Sequence, residues 1–368
     1  MKQRHGRRGA AALTAFTLIL GACAAGSEDG TDVSDEEGVT DEEFVDDEEF
    51  VDEEFPEDSV IEDDFGDAPV DSVIEDGVGD APEEAPLDDG TVDEEPIDDV
   101  PDVPVPTGGS RDDIDCQAVS EDGEGIYTFT TIHYVVDGVL GDVCLGESDD
   151  RLLDAWNVLA TITPEGQLGD LGVFAAFESA EEGDDVTLAF VNILDDDGTQ
   201  FQMSVNLDSY EADLNEAQLT IAHEFSHVFT ALSTQIDRTI EAIDNCTTYS
   251  PGDGCYLDDS LMYAWIQEFW GDGLIDEIDP NEEITADTGQ LRCDVDAGFF
   301  GPYAGSSPEE DFAEAFSAYV FDLETYSDGQ QARLDWMAAQ PGLAEFRARA
   351  EAAGLTPLVN NFEECGLG

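Results

Sequence analysis

His223-Glu224-Phe225-Ser226-His227 is the stretch that decides how this chain folds and what chemistry it can do. Residues four apart share one face of an α-helix, so on a helix both imidazoles can point at one ion. Neutral imidazole suits Zn²⁺, and a glutamate that follows the first histidine can act as a general base toward water. Chance placement is the alternative, but the chain has only four histidines in all. We therefore predict that His223 and His227 bind zinc and that Glu224 is catalytic.

The residues around this motif favour a helix over about 213–233. Asp213 and Glu216 form an N-terminal cap, which is the signal expected before an apolar helical run. An apolar stripe at helical spacing follows: Leu214, Ala217, Ile221, Phe225 and Val228. The histidines and Glu224 lie beside this stripe, as a buried catalytic helix requires.

A third zinc ligand has to come from elsewhere in the chain. A catalytic site needs three protein ligands and one open position. No histidine follows His227, which rules out the metzincin pattern with a downstream histidine. The stretch 307–316 supplies carboxylates instead, because Glu310 and Glu314 are four apart and share a helical face.

Spacing alone does not decide which of these two glutamates binds the metal. Ser307 as N-cap and Pro308 at the first helical position mark the start of a helix. One glutamate could bind zinc while the other orients a histidine. The competing interpretations are that Glu310 is a capping-box partner of Ser307 and that Glu314 is a solvated helix acid.

The two motifs together resemble the gluzincin metallopeptidases, and most of all the group that contains lethal factor and the Pro-Pro endopeptidases. The resemblance covers about 219–230 and 303–320. It implies a zincin-like fold in which Glu310 is the zinc ligand and Glu314 has a supporting role. It also implies that Tyr303, seven residues before the ligand, stabilises the transition-state oxyanion, since a phenol hydroxyl is a neutral donor. Otherwise Tyr303 is a loop aromatic packed on the core.

The cysteines indicate an oxidising compartment. Cys23 follows a short apolar run, and six further cysteines lie in the rest of the chain: Cys116, Cys144, Cys246, Cys255, Cys293 and Cys365. An even number outside the cytoplasm suggests three disulfides. Proximity favours Cys116–Cys144 and Cys246–Cys255, which leaves Cys293–Cys365, although other pairings remain open at this point.

The N-terminal segment 1–22 is predicted to be a lipoprotein signal peptide. A basic start precedes an apolar run at 10–20, which is shorter than the ~20 residues that span a bilayer. Leu20-Gly21-Ala22-Cys23 resembles the lipobox of bacterial lipoproteins, in which Cys23 becomes the lipidated first residue. An ordinary cleavage site beside a chance cysteine is the alternative.

Residues 23–110 are predicted to be a disordered acidic tether. The part from 24 to 110 holds 36 acidic residues and no lysine or arginine, with short acidic repeats. Such a segment cannot bury a core, so its expected role is to hold a folded domain away from the membrane. Binding of cations or of a partner by the acidic runs is the alternative function.

Residues 111–368 are predicted to form one metallopeptidase domain of α+β class, with a twisted mixed sheet, an active-site helix and a helical C-terminal half. Alternating strands come first and helices dominate the second half. An edge strand at 201–207 is expected to pair with extended substrate. The insert at 228–302 is longer than we expect from the resemblance. It carries three of the cysteines, and the sequence does not show how it affects the cleft.

The overall charge limits the classes of partner. The 368 residues include 11 Lys+Arg and 91 Asp+Glu, for a formal net charge of −80. Nucleic-acid binding and polybasic attachment to a membrane surface are excluded, because both need clustered basic residues. We expect an extracytoplasmic zinc endopeptidase, monomeric, attached to the cell membrane only through its N-terminal lipid, and acting on peptides or proteins. The rival hypothesis is a non-catalytic surface binding protein with a structural zinc.

Overall fold

A computed structural model describes residues 109–121, 126–180, 186–240, 242–271, 273–278 and 284–366. The predicted signal peptide, Cys23 and all but the last two residues of the predicted tether lie outside these described residues. The described residues belong to one compact unit. Within them, no helix combines the length and the apolar character that a membrane crossing requires.

A five-stranded mixed sheet forms the first half of the described domain. Its strands are β1 (Tyr127–Val136), β2 (Val139–Gly146), β3 (Leu171–Ser179), β4 (Ala189–Ile193) and β5 (Phe201–Asn206). Their spatial order is β2-β1-β3-β5-β4, with β3 and β5 parallel and the other neighbours antiparallel. A tight turn joins β1 to β2, in which Asp137 and Gly138 both have positive φ, as a two-residue hairpin turn requires.

The chain enters the described domain beside the outer edge of β2. The Asp142 backbone N–H donates to the Gly109 carbonyl at 2.8 Å. A short helix follows, α1 (Cys116–Val119), and the disulfide Cys116–Cys144 attaches it to β2. The sheet face beside α1 carries a small apolar cluster that includes Ile132 and Val173.

Eight further α-helices lie in the described residues, and the first three of them pack against the other face of the sheet. In chain order they are α2 (Asp150–Ile162), α3 (Leu207–Ala212), α4 (Leu214–Thr230), α5 (Leu261–Phe269), α6 (Ala286–Val295), α7 (Pro308–Val320), α8 (Asp328–Ala339) and α9 (Leu343–Ala352). The main core lies between sheet and helices and includes Phe174, Met203, Phe225, Phe316 and Phe346. The α+β class with a mixed sheet and a helical C-terminal half is therefore confirmed.

The insert at 228–302 folds as part of this domain. It contains the small hairpin β6 (Ile236–Asp237) and β7 (Cys255–Tyr256), together with α5 and α6. The structure has the disulfides Cys246–Cys255 and Cys293–Cys365, so the two pairs that proximity favoured and the pair that they left over are all confirmed.

Two expectations about the sheet and α4 were wrong. The strand predicted as an edge at 201–207 is β5, which lies inside the sheet between β3 and β4. On this side of the sheet the edge strand is β4, because residues 189–193 pair along the outer side of β5. Leu214 is 57% exposed and does not belong to the apolar stripe, since it is the first residue of α4.

Candidate metal centre

Helix α4 carries the first part of the centre. The Asp213 carboxylate caps it by accepting from the backbone N–H groups of Asn215 and Glu216, at 2.9 and 3.2 Å. The apolar residues Ile221, Phe225 and Val228 are fully buried and fix the rotation of the helix about its axis. His223 and Glu224 are buried as a consequence, and the His227 side chain is 13% exposed.

Helix α7 carries the second part. It begins as expected, with Pro308 at its first position and with the Ser307 hydroxyl accepting from the Glu310 N–H at 3.3 Å. The Glu310 carboxylate does not complete a capping box with Ser307, because it faces the histidines of α4. Glu314, one turn later, is also buried, which excludes a solvated helix acid.

Three side chains converge on a common position between these helices. Glu310 Oε2 lies 3.1 Å from His223 Nε2 and 3.5 Å from His227 Nε2. The two Nε2 atoms are 3.2 Å apart. One ligand atom from each of the three residues lies within 4.8 Å of the other two, so the group could hold a metal ion. Two imidazoles and a carboxylate form a donor set suited to Zn²⁺.

Glu314 contacts the same cluster from the outside. Its Oε1 lies 3.5 Å from His223 Nδ1, the ring nitrogen that does not face Glu310. A carboxylate at this position fixes the orientation of an imidazole and its tautomer. The structure thus places Glu310 among the candidate ligand atoms and Glu314 behind one of them, the arrangement that the resemblance implies.

The charges of the centre are strongly coupled. Burial alone would lower the pKa of His223, but hydrogen bonds and charges from Glu310 and Glu314 raise it well above its usual value. Burial would raise the pKa of Glu310, yet the His227 and His223 rings lower it to about 2. In the metal-free protein, Glu310 is therefore ionised and paired with imidazolium.

Glu224 lies beside this cluster without a partner of its own. It is fully buried, and neither of its carboxylate oxygens has a hydrogen-bond partner among the described residues. Burial raises the pKa of Glu224 to about 7, while the charges of His223 and His227 act in the opposite direction. A buried carboxylate without a partner is costly, and it is suited to accept a proton from a molecule that enters the centre.

Tyr303 approaches the same centre from the loop before α7. Its ring centroid is 6.1 Å from that of His223. The side chain is buried, and the Glu310 carboxylate is close enough to the Tyr303 hydroxyl to act as its hydrogen-bond acceptor. Burial, followed by the charges of Glu310 and Glu224, raises the pKa of Tyr303 well above its usual value. Tyr303 therefore remains a neutral hydrogen-bond donor.

The structure also shows a buried ion pair that the sequence did not reveal. Asp311 is fully buried, and its carboxylate accepts from Arg333 Nε at 2.8 Å, from Trp265 Nε1 at 3.1 Å and from Trp270 Nε1 at 2.9 Å. Arg333 belongs to α8, Trp265 lies within the insert helix α5 and Trp270 directly follows it, so Asp311 joins the start of α7 to these two segments. In the sequence, Asp311 is the last of three successive acidic residues, and nothing there distinguishes it from a solvated one.

The four tryptophans and His133 contribute to the packing of the domain. Trp156, Trp265 and Trp270 are buried, and Trp336 packs against the same core. His133 is a packed residue of β1, with Nδ1 at 3.0 Å from the Gly141 carbonyl oxygen. Cys23, the predicted lipidation site, lies outside the described residues.

Comparison with known proteins shows a similarity that includes both helices of the centre. Residues 172–352 match the sequence family described as "Putative zinc-binding metallo-peptidase". A solved structure described as a "putative zinc-binding metallo-peptidase" from Bacteroides caccae ATCC 43185 is 17% identical, with a TM-score of 0.19. The match covers 54% of this chain and 58% of that one, so the chain spans less than two thirds of its length. No curated protein matches the chain.

The family match supports a zinc-binding metallopeptidase at a general level. The gluzincin type and the likeness to the lethal factor group stay predictions, as do the roles of the individual residues.

Proposed function

We propose that this chain is an extracytoplasmic, lipid-anchored, zinc-dependent endopeptidase. The observation that carries the proposal is the convergence of His223, His227 and Glu310, with Glu224 buried and without a partner beside them. A structural zinc site does not require an additional buried carboxylate of this kind, because structural sites have four protein ligands and no reacting water.

The three ligand side chains would hold Zn²⁺ between α4 and α7. When bound there, the ion supplies Lewis acidity that polarises a peptide carbonyl and lowers the pKa of water. Glu224 accepts the proton of the attacking water and then donates it to the leaving amine. Glu314 keeps the imidazole of His223 in the orientation that binding requires.

Tyr303 would act on the oxygen of the substrate. Its hydroxyl is buried and neutral, so it can donate a hydrogen bond to the oxyanion that develops on the carbonyl. The position of its ring beside His223 supports this role.

The open edge of β4 would receive the peptide. Strand β4 is at the end of the described sheet, and α4 packs beside it. An extended peptide can add to such an edge through backbone hydrogen bonds. This proposal transfers to β4 the role first expected for 201–207.

The location of the protein is part of the same proposal. The apolar run and Cys23 support export and lipidation, and three disulfides are typical of an oxidising compartment. Residues 23–110 would then separate a monomeric domain from the membrane. Incorporation of labelled fatty acid in the wild type, and its loss in Cys23→Ser, would test the anchor.

The catalytic proposal is tested by measuring metal content and peptide cleavage in the wild type and in Glu224→Gln. We expect both to retain zinc, and cleavage to fall at least about 100-fold in the variant, because only the proton acceptor is removed. Glu211→Gln is a matched control, since the Glu211 side chain is 73% exposed on α3. Retention of zinc without cleavage of any member of a broad peptide library by the wild type would favour a non-catalytic binding protein.

A further inference from the structure

Helix α6 of the insert packs directly onto the loop that carries Tyr303. We call residues 302–306 the Tyr303 loop. A methyl group at Gly289 of α6 would lie 1.8 Å from the Pro302 carbonyl oxygen and 2.5 Å from the Ser306 nitrogen. A methyl group at Gly305 would in turn lie 2.6 Å from the Gly289 carbonyl oxygen. Only glycines permit this approach of the two backbones.

Arg292, three residues after Gly289, binds the same loop. Its Nε donates to the Gly305 carbonyl at 2.5 Å, and its Nη2 donates to the Ser306 carbonyl at 3.3 Å. The same Nη2 also donates to the Thr288 carbonyl at 3.2 Å, which fixes the guanidinium on its own helix. The residue is only 8% exposed.

The partners of this arginine are backbone carbonyls, although the chain is rich in carboxylates. Acidic residues outnumber arginine and lysine 91 to 11, yet within the described ranges Arg292 forms no ion pair. Burial of a cation is costly unless its donors are satisfied. Here backbone carbonyls satisfy them, and a planar guanidinium can reach two successive carbonyls that a lysine ammonium reaches less well.

The Tyr303 loop links the tyrosine to the ligand helix. The Tyr303 carbonyl accepts from the Ser306 N–H at 2.9 Å and from the Ser306 hydroxyl at 2.5 Å. Ser307, the next residue, caps α7, and Glu310 follows three positions later. Any shift of Gly305 or Ser306 would therefore move Tyr303 relative to Glu310.

We propose that Arg292 is a positioning residue, which holds the Tyr303 loop so that the Tyr303 hydroxyl lies beside the metal centre. The inference rests on the proposed peptidase function and gives the insert a role in it. Gly289 and Arg292 of the insert form the surface on which the Tyr303 loop packs.

The test uses Arg292→Lys in the full chain and measures amide hydrogen exchange first. We expect exchange of the Gly305 and Ser306 amides to accelerate at least about tenfold, because their loop loses two anchoring bonds. Arg349→Lys is the matched control: Arg349 likewise donates to two backbone carbonyls, those of Thr161 and Ala160, but on α9. The control should leave exchange of the Tyr303 loop unchanged.

Kinetics then separate positioning from simple stabilisation. In Arg292→Lys we expect kcat for peptide cleavage to fall at least about tenfold, with KM and zinc affinity unchanged, because the oxyanion donor is displaced. In a Tyr303→Phe background the same substitution should have little further effect on kcat, since the hydroxyl that Arg292 positions is absent. Gly289→Ala displaces the Tyr303 loop from the same side and leaves Arg292 intact. It should lower kcat in the same way, again only when the Tyr303 hydroxyl is present. This variant replaces Arg292→Lys in the test if Arg292→Lys does not fold.

An equal loss of kcat with and without the Tyr303 hydroxyl would overturn the inference. Loss of zinc in parallel with kcat would overturn it too, as would unchanged exchange of the Tyr303 loop. A wild type that cleaves no peptide would instead refute the proposed function, while hydrogen exchange would still report whether Arg292 holds the loop.

Discussion

Glu314 Oε1 lies 3.5 Å from His223 Nδ1, while the other nitrogen of the same ring faces Glu310 Oε2 at 3.1 Å. The imidazole is therefore held between two carboxylates of one helix, spaced one turn apart. Because each carboxylate contacts a different ring nitrogen, the effects of Glu310 and Glu314 on metal binding can be separated experimentally.

The first prediction concerns these two glutamates. Glu310→Ala should abolish stoichiometric zinc binding, because a donor atom is removed from the set of three. Glu314→Ala should weaken binding by about 10–100-fold, because only the orientation of His223 is released. Competition with a chelator measures both affinities. The opposite order of effects would show that Glu314 is the ligand.

The second prediction concerns the pH dependence of zinc affinity. The pKa of His223 in the metal-free protein is raised well above its usual value by Glu310 and Glu314, although burial opposes this. Zinc needs the neutral ring, so binding must release this proton, and apparent affinity should rise by up to about tenfold per pH unit. Because the pKa of Glu310 is about 2, that carboxylate adds no dependence near neutrality.

Titration against a chelator at several pH values, with buffers of different ionisation enthalpy, counts the protons released. Glu314→Gln should give a smaller pH dependence, since one cause of the raised pKa is removed. An affinity that does not change with pH in the wild type would contradict the prediction.

The third prediction concerns the buried ion pair at the start of α7. Asp311→Ala leaves Arg333 and two indole N–H groups without their acceptor, so the free energy of unfolding should fall by about 3–5 kcal/mol. Glu351→Ala is the control, because it breaks the more exposed Arg347–Glu351 pair on α9 and should lower the free energy of unfolding by less than about 1 kcal/mol. Denaturant unfolding of the metal-free proteins measures both. Equal losses of unfolding free energy in the two variants would show that the buried pair stabilises the fold no more than the exposed pair does.

The fourth prediction concerns Glu216, which lies two turns before His223 on α4. Burial, and then the charge of Glu314, raises the pKa of Glu216 to about 7 from 4.5. The folded state thus holds the proton more tightly than the unfolded state. The stabilisation that protonated Glu216 gives the folded state is fully present below its pKa in the unfolded chain, 4.5. This stabilisation is lost as the pH rises through about 7.

Glu216→Gln should therefore increase the free energy of unfolding at pH 8 by about 1–3 kcal/mol and change it little near pH 4. Metal-free protein must be used, because a bound cation would favour the ionised carboxylate. Equal effects of the substitution at both pH values would argue against a raised pKa for Glu216.

Much of this structure could be predicted from short-range sequence patterns. The cap at Asp213, the start of α7 at Ser307 and Pro308, and the spacing of His223 and His227 all depend on residues within one or two helical turns. Such short-range relationships can be read from sequence, because helical periodicity sets which side chains share a face. Two of the three disulfide pairs also followed from proximity along the chain, and they left Cys293–Cys365 as the third.

Relationships between distant segments could not be predicted in this way. The position of β5 inside the sheet depends on where 189–193 pairs, and strand order is not encoded by alternation within either strand. The partners of Asp311 come from two other helical segments, and Arg292 meets the Tyr303 loop only after the insert has folded. In the last two cases a polar residue meets its partners only through tertiary packing.

The entry of the chain beside β2 has a mechanical consequence. Gly109 and the Cys116–Cys144 disulfide lie at one border of the sheet, and β4 with the neighbouring α4 lies at the opposite border. If residues before 109 are anchored as proposed, tension along them is borne by a covalent cross-link before it reaches the interior strands. The residues proposed to hold and activate the metal lie on α4 and α7, which no disulfide among the described residues ties to that border.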